Sequence, residues 1–262
     1  MKKFGLIGYP LTHSFSEKYF TEKFEKENIN DTSYSLITLG NIQDFPELIK
    51  NNPDLSGINV TIPYKIEVMQ FLDELSKEAE GVGAVNCIKI CTRHSVNSLF
   101  SGELCRVNEK KYSLIGYNTD AYGFEKSISP LLKKHHQKAL ILGNGGAAKA
   151  IQFVFKKLKI PFKLVSRKAA KNMFTYGQLN QKVLKEYQII VNTSPLGTYP
   201  DVDACPDIPY EFLTPQHLLY DLVYNPEETL FLQKGKEKGA VTKNGADMLV
   251  LQAEKSWEIW NS

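Results

Sequence analysis

The sequence predicts an α/β protein made of two successive units, each built on a mostly parallel sheet. Three observations carry that prediction. Short apolar or β-branched runs alternate with helical patterns, as strands joined by crossover helices do. The alternation restarts midway, where a strand-like run, Ala139 to Leu142, enters a turn rich in glycine. The chain is 262 residues long, beyond the roughly 250 at which single cores stop growing.

Taken in order, Phe4 to Ile7 reads as a strand that cannot continue past Pro10. A helix marked by Phe20 and Phe24 follows His13-Ser14-Phe15-Ser16-Glu17, and Ser14 with Glu17 has the spacing of a capping box. Tyr34 to Thr38, Gly57 to Thr61 and Ala84 to Ile90 are the next strands. Cys91 to Lys111 lacks periodicity and contains Gly102, so it is expected to be a long, exposed hairpin connection to a strand at Lys111 to Ile115. Asp120 to Lys134 reads as a helix with Asp120 as its N-cap, ended by His135-His136-Gln137. In the second series the strands are Ala139 to Leu142, Phe162 to Ser166, Ile189 to Asn192 and Leu218 to Asp221.

Composition narrows the function classes. Hydrophobic residues make up 42% and charged residues 23%, ordinary globular values that exclude disordered and collagen-like chains. Lys plus Arg number 32 against 29 Asp plus Glu, a net charge of +3 that gives no reason to expect a nucleic-acid or anionic-membrane surface. No run approaches the roughly 20 apolar residues of a membrane span. The four cysteines, Cys87, Cys91, Cys105 and Cys205, form no CxxC pair, so thiols in a reducing cytoplasm are expected and a metal cluster is not.

The second unit opens on Gly143-Asn144-Gly145-Gly146-Ala147-Ala148, followed by a helical pattern from Lys149 to Lys159. Strand, glycine turn and helix with GxGxxA spacing fit a Rossmann-type dinucleotide site. Gly143 permits the tight turn, Gly145 lets backbone approach a pyrophosphate, and Ala148 lets helix pack on sheet. The helix N-terminus then supplies N–H donors. A merely structural turn is the alternative. At the end of the next strand stand Ser166, Arg167 and Lys168, with Lys171 nearby and no Asp or Glu from Phe162 to Thr175. An arginine there can hold a 2′-phosphate where a carboxylate would hold a ribose hydroxyl, so NADP is expected over NAD. A solvated basic loop is the plainer reading.

In the first unit the residues speak less distinctly. Ser14 and Ser16 can cap a helix or bind a polyol or carboxylate. In Asn59-Val60-Thr61-Ile62-Pro63-Tyr64-Lys65, Pro63 suits the first position of a helix and would place Lys65 in its first turn, against the dipole. Such a lysine is either an exposed misfit or a proton carrier. Asn86 can be a turn amide, and Asp120, after Gly116-Tyr117-Asn118-Thr119, a cap. Gln252 can simply edge a helix face beside Leu249, Ala253, Trp257 and Trp260.

The ordered set of motifs resembles the shikimate dehydrogenase family over nearly the whole chain. Gly8-Tyr9-Pro10 with His13 to Ser16 is similar to its opening segment, and Asn59 to Lys65 to its catalytic-lysine motif. Gly83-Ala84-Val85-Asn86, Asn118-Thr119-Asp120, Asn192 to Gly197, Asp221 to Pro226 and Gly245 to Ala253 follow in the same order. The resemblance implies a substrate domain of residues 1–122 with 245–262, a Rossmann-type NADP domain of 123–244, and a C-terminal helix that returns to the first. It implies that Ser14, Ser16, Asn59, Thr61, Asn86, Tyr224 and Gln252 line the shikimate site, with Lys65 and Asp120 as the catalytic pair. Gly143, Asn144, Gly145, Gly146, Ala147, Ser166, Arg167, Lys168 and Lys171 would hold NADP, with Thr193, Leu222, Gly245 and Met248 near its nicotinamide.

The implied activity is reversible NADPH-dependent reduction of 3-dehydroshikimate, without metal, in a cytoplasmic monomer or homodimer. The rivals are a quinate/shikimate enzyme using NAD and a non-catalytic ring-acid sensor. Three departures stand out. Glu17 follows the second serine where proline is common, Cys87 replaces a usual threonine, and Ser166-Arg167-Lys168 replaces Asn-Arg-Thr. The connection from Cys91 to Lys111 is also longer than the family's.

Overall fold

A computed structural model describes residues 1–11, 14–92 and 112–262. The chain divides into two compact units, Met1–Thr119 with Ala253–Ser262, and Asp120–Gln252.

In the first unit the described strands are β1 (Lys2–Gly8), β2 (Thr32–Thr38), β3 (Leu55–Val60), β4 (Glu74–Leu75), β5 (Cys87–Thr92) and β6 (Tyr112–Tyr117). They lie in the order β2-β1-β3-β5-β6-β4. β1 is parallel to β2 and β3, β4 is parallel to β6, and β5 runs antiparallel to both of its neighbours. The helices are α1 (Phe15–Lys26), α2 (Phe45–Asn51) and α3 (Lys77–Val82). β5 begins at Cys87, three residues later than the apolar run from Ala84 predicts. Gly83 caps α3 in a left-handed turn at φ 68°, and Val85 then donates its N–H to the Lys65 carbonyl (2.7 Å) instead of a strand partner. Of the hairpin connection expected over Cys91 to Lys111, Cys91 and Thr92 instead continue β5, and residues 93–111 lie outside the described residues; the β5–β6 pair flanking it is antiparallel, from Cys87 opposite Tyr117 to Thr92 opposite Tyr112.

One face of this sheet buries Ile7, Phe45, Ile58, Val85 and Ile88. The other is aromatic: Phe4, Phe20, Tyr34 and Trp260 cluster there with Cys87. Trp260 belongs to the last helix, α8 (Ala246–Asn261), whose final residues pack in this unit. Its indole stacks on Phe4 with centroids 4.8 Å apart and donates Nε1–H to the Ile88 carbonyl (3.0 Å). Gly57 is dictated by that ring, since a Cβ there would stand 2.3 Å from it. Lys23 of α1, its side chain only 9% exposed, pairs with Glu254 of α8 at 3.0 Å. Truncating a buried tryptophan such as Trp260 costs about 3–5 kcal/mol, so this aromatic face is a main anchor of the C-terminal helix.

The second unit carries β7 (Ala139–Leu142), β8 (Phe162–Ser166), β9 (Met173–Thr175), β10 (Ile189–Asn192), β11 (Leu218–Asp221) and β12 (Val241–Lys243), ordered β12-β11-β10-β7-β8-β9. Each adjacent pair is parallel. This is the doubly wound order whose switch point, between β7 and β10, opens a crevice at the strands' carboxyl ends. β7, β10 and β11 are buried throughout, as strands covered on both faces are. Helices α4 (Thr119–Ile128), α5 (Gly146–Lys157), α6 (Gln181–Glu186) and α7 (Leu230–Glu237) accompany them. α4 stops at Ile128, short of the expected Lys134, because Pro130 cannot continue it; Ser129–Leu131 turns instead as a 3₁₀ segment. Gly123 of α4 lets α8 approach closely, since a Cβ there would meet the Met248 carbonyl at 2.6 Å. Among the described residues no helix is long and apolar enough to cross a membrane, and no group of three His, Cys, Asp or Glu side chains could hold a metal ion.

Candidate active site

In the first unit the candidate residues gather at the carboxyl ends of β1 and β3. Ser14 is the N-cap of α1, its hydroxyl accepting the Ser16 N–H at 3.1 Å, so the capping reading holds for this serine. The Ser16 side chain reaches Tyr34, whose phenol is held above its ordinary pKa mainly by burial. Asn59, at the end of β3, is 9% exposed and almost fully engaged. Its Oδ1 accepts from the Tyr34 hydroxyl at 2.9 Å, and its Nδ2 donates to the Asn86 carbonyl at 3.2 Å and to Ser256 Oγ at 3.0 Å. Asn86 in turn donates Nδ2–H to Thr119 Oγ1 (3.0 Å) and accepts the Thr119 N–H at Oδ1 (2.6 Å). The structure thus brings Ser16, Asn59 and Asn86 together through a buried polar lattice.

Thr61 continues from β3 and donates its N–H to the Ile7 carbonyl at 2.9 Å. Lys65 does not lie in the first turn of a helix as predicted. Residues 62–66 form a turn that precedes a 3₁₀ segment, Glu67–Phe71, so the dipole opposition expected of Lys65 does not operate there. Pro63 fits a turn as well as a helix start, which is why its signal misled. The half-buried Lys65 is fixed through its backbone, its carbonyl held by the Val85 N–H.

In the second unit Gly143 ends β7 at φ +115°, a conformation closed to side chains, and a Cβ there would stand 2.7 Å from Thr193 Oγ1. Thr193 locks the turn by donating both its N–H (2.9 Å) and its hydroxyl (2.8 Å) to the Leu142 carbonyl. Asn144 and Gly145 are exposed, Ala147 is half-buried, and Ala148 is buried against the sheet. A Cβ on Gly145 or Gly146 would meet no described atom within 4 Å. Gly145 is the N-cap of α5 and offers no side chain to its first N–H groups. Open room above uncapped N–H donors fits the pyrophosphate of a dinucleotide.

Ser166 ends β8, accepting the Lys168 N–H at Oγ (3.3 Å), and Arg167, Lys168 and Lys171 follow it exposed. The Arg167 guanidinium lies close enough to Tyr176 to oppose the rise in phenol pKa that burial causes. An exposed arginine and lysines at this strand end suit a phosphate monoester.

Asp120 is 5% exposed and sits within the first turn of α4, which begins at Thr119, so it is not the helix cap that the sequence predicts. Tyr224, 41% exposed, follows β11. Leu222 and Gly245 are in direct backbone contact, a Cβ on Gly245 standing 2.3 Å from the Leu222 carbonyl oxygen. Met248 and Gln252 lie on α8 beside Gly123. Asp221, at the end of β11, is fully buried, accepting from Asn192 Nδ2 (2.9 Å), the Val223 N–H (3.1 Å) and Thr229 Oγ1 (2.6 Å). Burial pushes its carboxyl up to about 6, against those three bonds.

Tyr34, Thr119 and Ser256 complete the first-unit lattice; Thr119 falls within the Asn118-Thr119-Asp120 motif without a role of its own, and Tyr34 and Ser256 lie in no motif. Their only sequence signal is a hydroxyl at a position otherwise apolar.

Residues 6–88 match the family described as shikimate dehydrogenase substrate binding domain. The shikimate dehydrogenase (NADP(+)) of Methanococcus vannielii is 33% identical over 280 residues, covering 98% of this chain and 90% of its own. That of Carboxydothermus hydrogenoformans is 35% identical, covering 98% and 90%. A crystal structure of shikimate 5-dehydrogenase from Thermus thermophilus in complex with NADP(H) and shikimate superposes with a TM-score of 0.80 at 26% identity, covering 99% of this chain and 93% of that one. With relatives this similar over almost its entire length, the chain belongs to the shikimate dehydrogenase family.

Proposed function

We propose that the protein is an NADP-dependent shikimate dehydrogenase, catalysing the reversible NADPH-dependent reduction of 3-dehydroshikimate to shikimate in aromatic amino acid biosynthesis. The observation that carries this reading is full-length similarity to enzymes of that activity, at 33% identity over 98% of the chain. When bound, NADPH supplies the hydride for the ring carbonyl. The chain's own residues bind, orient and handle the proton. Lys65 is assigned proton delivery at the C3 oxygen, and Asp120, in the first turn of α4, the partnering carboxylate. Ser14, Ser16, Asn59, Thr61, Asn86, Tyr224 and Gln252 are assigned to the ring acid.

Gly143, Asn144, Gly145, Gly146 and Ala147 are assigned to the pyrophosphate, and Ser166, Arg167, Lys168 and Lys171 to the 2′-phosphate. Thr193, Leu222, Gly245 and Met248 are assigned to the nicotinamide side. Residues 1–122 with 245–262 would then serve the substrate and 123–244 the cofactor. The setting proposed is cytoplasmic, where reduced thiols such as Cys87, Cys91 and Cys205 persist, as a monomer or homodimer.

The test is NADPH formation followed at 340 nm with shikimate as substrate. Turnover faster with NADP than with NAD is expected. Faster turnover of quinate with NAD would favour the quinate-using rival, and shikimate binding with no turnover would favour a sensor.

A further inference from the structure

Asn59 is held by more bonds than its own strand requires. Both N–H groups of its carboxamide are consumed, one by the Asn86 carbonyl and one by Ser256 Oγ, and its oxygen already accepts from Tyr34. The Asn86 carbonyl can only accept, so it fixes which end of the amide is nitrogen. What remains to Asn59 among the described residues is one lone pair on Oδ1. It can therefore accept from a ligand hydroxyl but cannot donate to a carboxylate or ketone.

Neither Tyr34 nor Ser256 belongs to any motif of the reaction, yet each enforces this arrangement from a different element. Tyr34 comes from β2, is 8% exposed, and stacks its ring on Phe20 at 4.6 Å; its hydroxyl links Asn59 to Ser16 of α1. Ser256 comes from α8, is fully buried, and lies 3.3 Å from Thr119 Oγ1 and so beside the partner of Asn86.

We propose that Tyr34 and Ser256 are positioning residues that hold the Asn59 carboxamide oxygen toward the ring acid, tuning substrate affinity without touching substrate. The proposal rests on the assignment of Asn59 to the shikimate site. Tyr34→Phe keeps the stacked ring and removes only the hydroxyl; Ser256→Ala removes the second constraint without enlarging the side chain.

The measurements are KM for shikimate, KM for NADP and kcat for the wild type and both variants, each repeated in an Asn59→Ala background. Each single variant should raise KM for shikimate about fivefold to tenfold, with kcat and KM for NADP within about twofold. In the Asn59→Ala background Ser256→Ala should add less than about twofold, because it acts through a side chain already gone, and Tyr34→Phe should retain only the smaller part of its effect that it exerts through Ser16. An unchanged KM in both single variants would overturn the proposal, as would an equal KM increase with and without Asn59 or a parallel loss in kcat and NADP affinity. Should Asn59→Ala fail to fold, Asn59→Ser takes its place. Absence of shikimate binding by the wild type would instead remove the functional reading beneath the proposal.

Discussion

The two units fix the geometry of their candidate residues by different means. In the first unit, side chains hold side chains: Tyr34, Asn59, Asn86, Thr119 and Ser256 form a buried lattice in which each amide is oriented by its neighbours. In the second, the glycine turn is set chiefly through the backbone. Thr193 bonds the Leu142 carbonyl, Gly143 turns at φ +115°, and the space above Gly145 and Gly146 is left open. A small ring acid with several hydroxyls calls for individually placed polar groups, whereas a pyrophosphate calls for a row of N–H donors and room to approach.

That contrast is open to direct attack within the glycine turn. Gly143→Ala should destabilise the second unit by about 3 kcal/mol in urea unfolding, because φ and the contact with Thr193 both forbid a Cβ. Gly145→Ala, at an ordinary φ of −87° with nothing near its Cβ, should leave stability within about 0.5 kcal/mol. It should nonetheless raise KM for NADP about tenfold, a cost of ~1.4 kcal/mol. Equal effects at the two positions would break the distinction between a glycine needed by the fold and one needed by the ligand.

Asp221 sharpens the comparison through pH. Its folded-state pKa, about 6, lies above its ordinary value of 3.8, so the native state binds this proton more tightly than the unfolded chain does. Stability contributed by the protonated form is therefore lost as pH rises from about 4 to about 6, by up to about 3 kcal/mol. Asp221→Asn should remove that decline, with the Thr229 hydroxyl rotating to accept from the amide. Identical pH profiles of unfolding for wild type and variant would contradict it. Arg167→Ala should have a smaller effect. It should lower kcat/KM for NADP about 30-fold, or ~2 kcal/mol, and leave NAD unchanged, since one exposed charge-assisted contact is lost. A preserved preference for NADP would assign the 2′-phosphate elsewhere.

The legibility of these features in the sequence follows from how local they are. The glycine turn could be read because backbone conformation restricts residue type directly, so Gly143 and Ala148 announce themselves. The alternation of strands and helices was equally plain, but β4, β9 and β12, of two or three residues, are too short to show a period. The local settings of Asp120 and Lys65 escaped the sequence, since Pro63 and the start of α4 each admit neighbouring turn geometries. The Asn59–Ser256 bond spans 197 residues, and no pattern along the chain records such a pairing. Lattices of this kind become visible only once topology has placed α8 against the sheet.

The central claim is that a lysine in the turn after β3 handles the proton of a shikimate oxidoreduction. The measurement that tests it most directly is the kcat of Lys65→Met alongside its dissociation constant for shikimate. The account predicts a fall in kcat of about a thousandfold, in the range expected for loss of a general acid or base, with shikimate affinity within about fivefold of the wild type. A variant that turns over at a near-normal rate would contradict it.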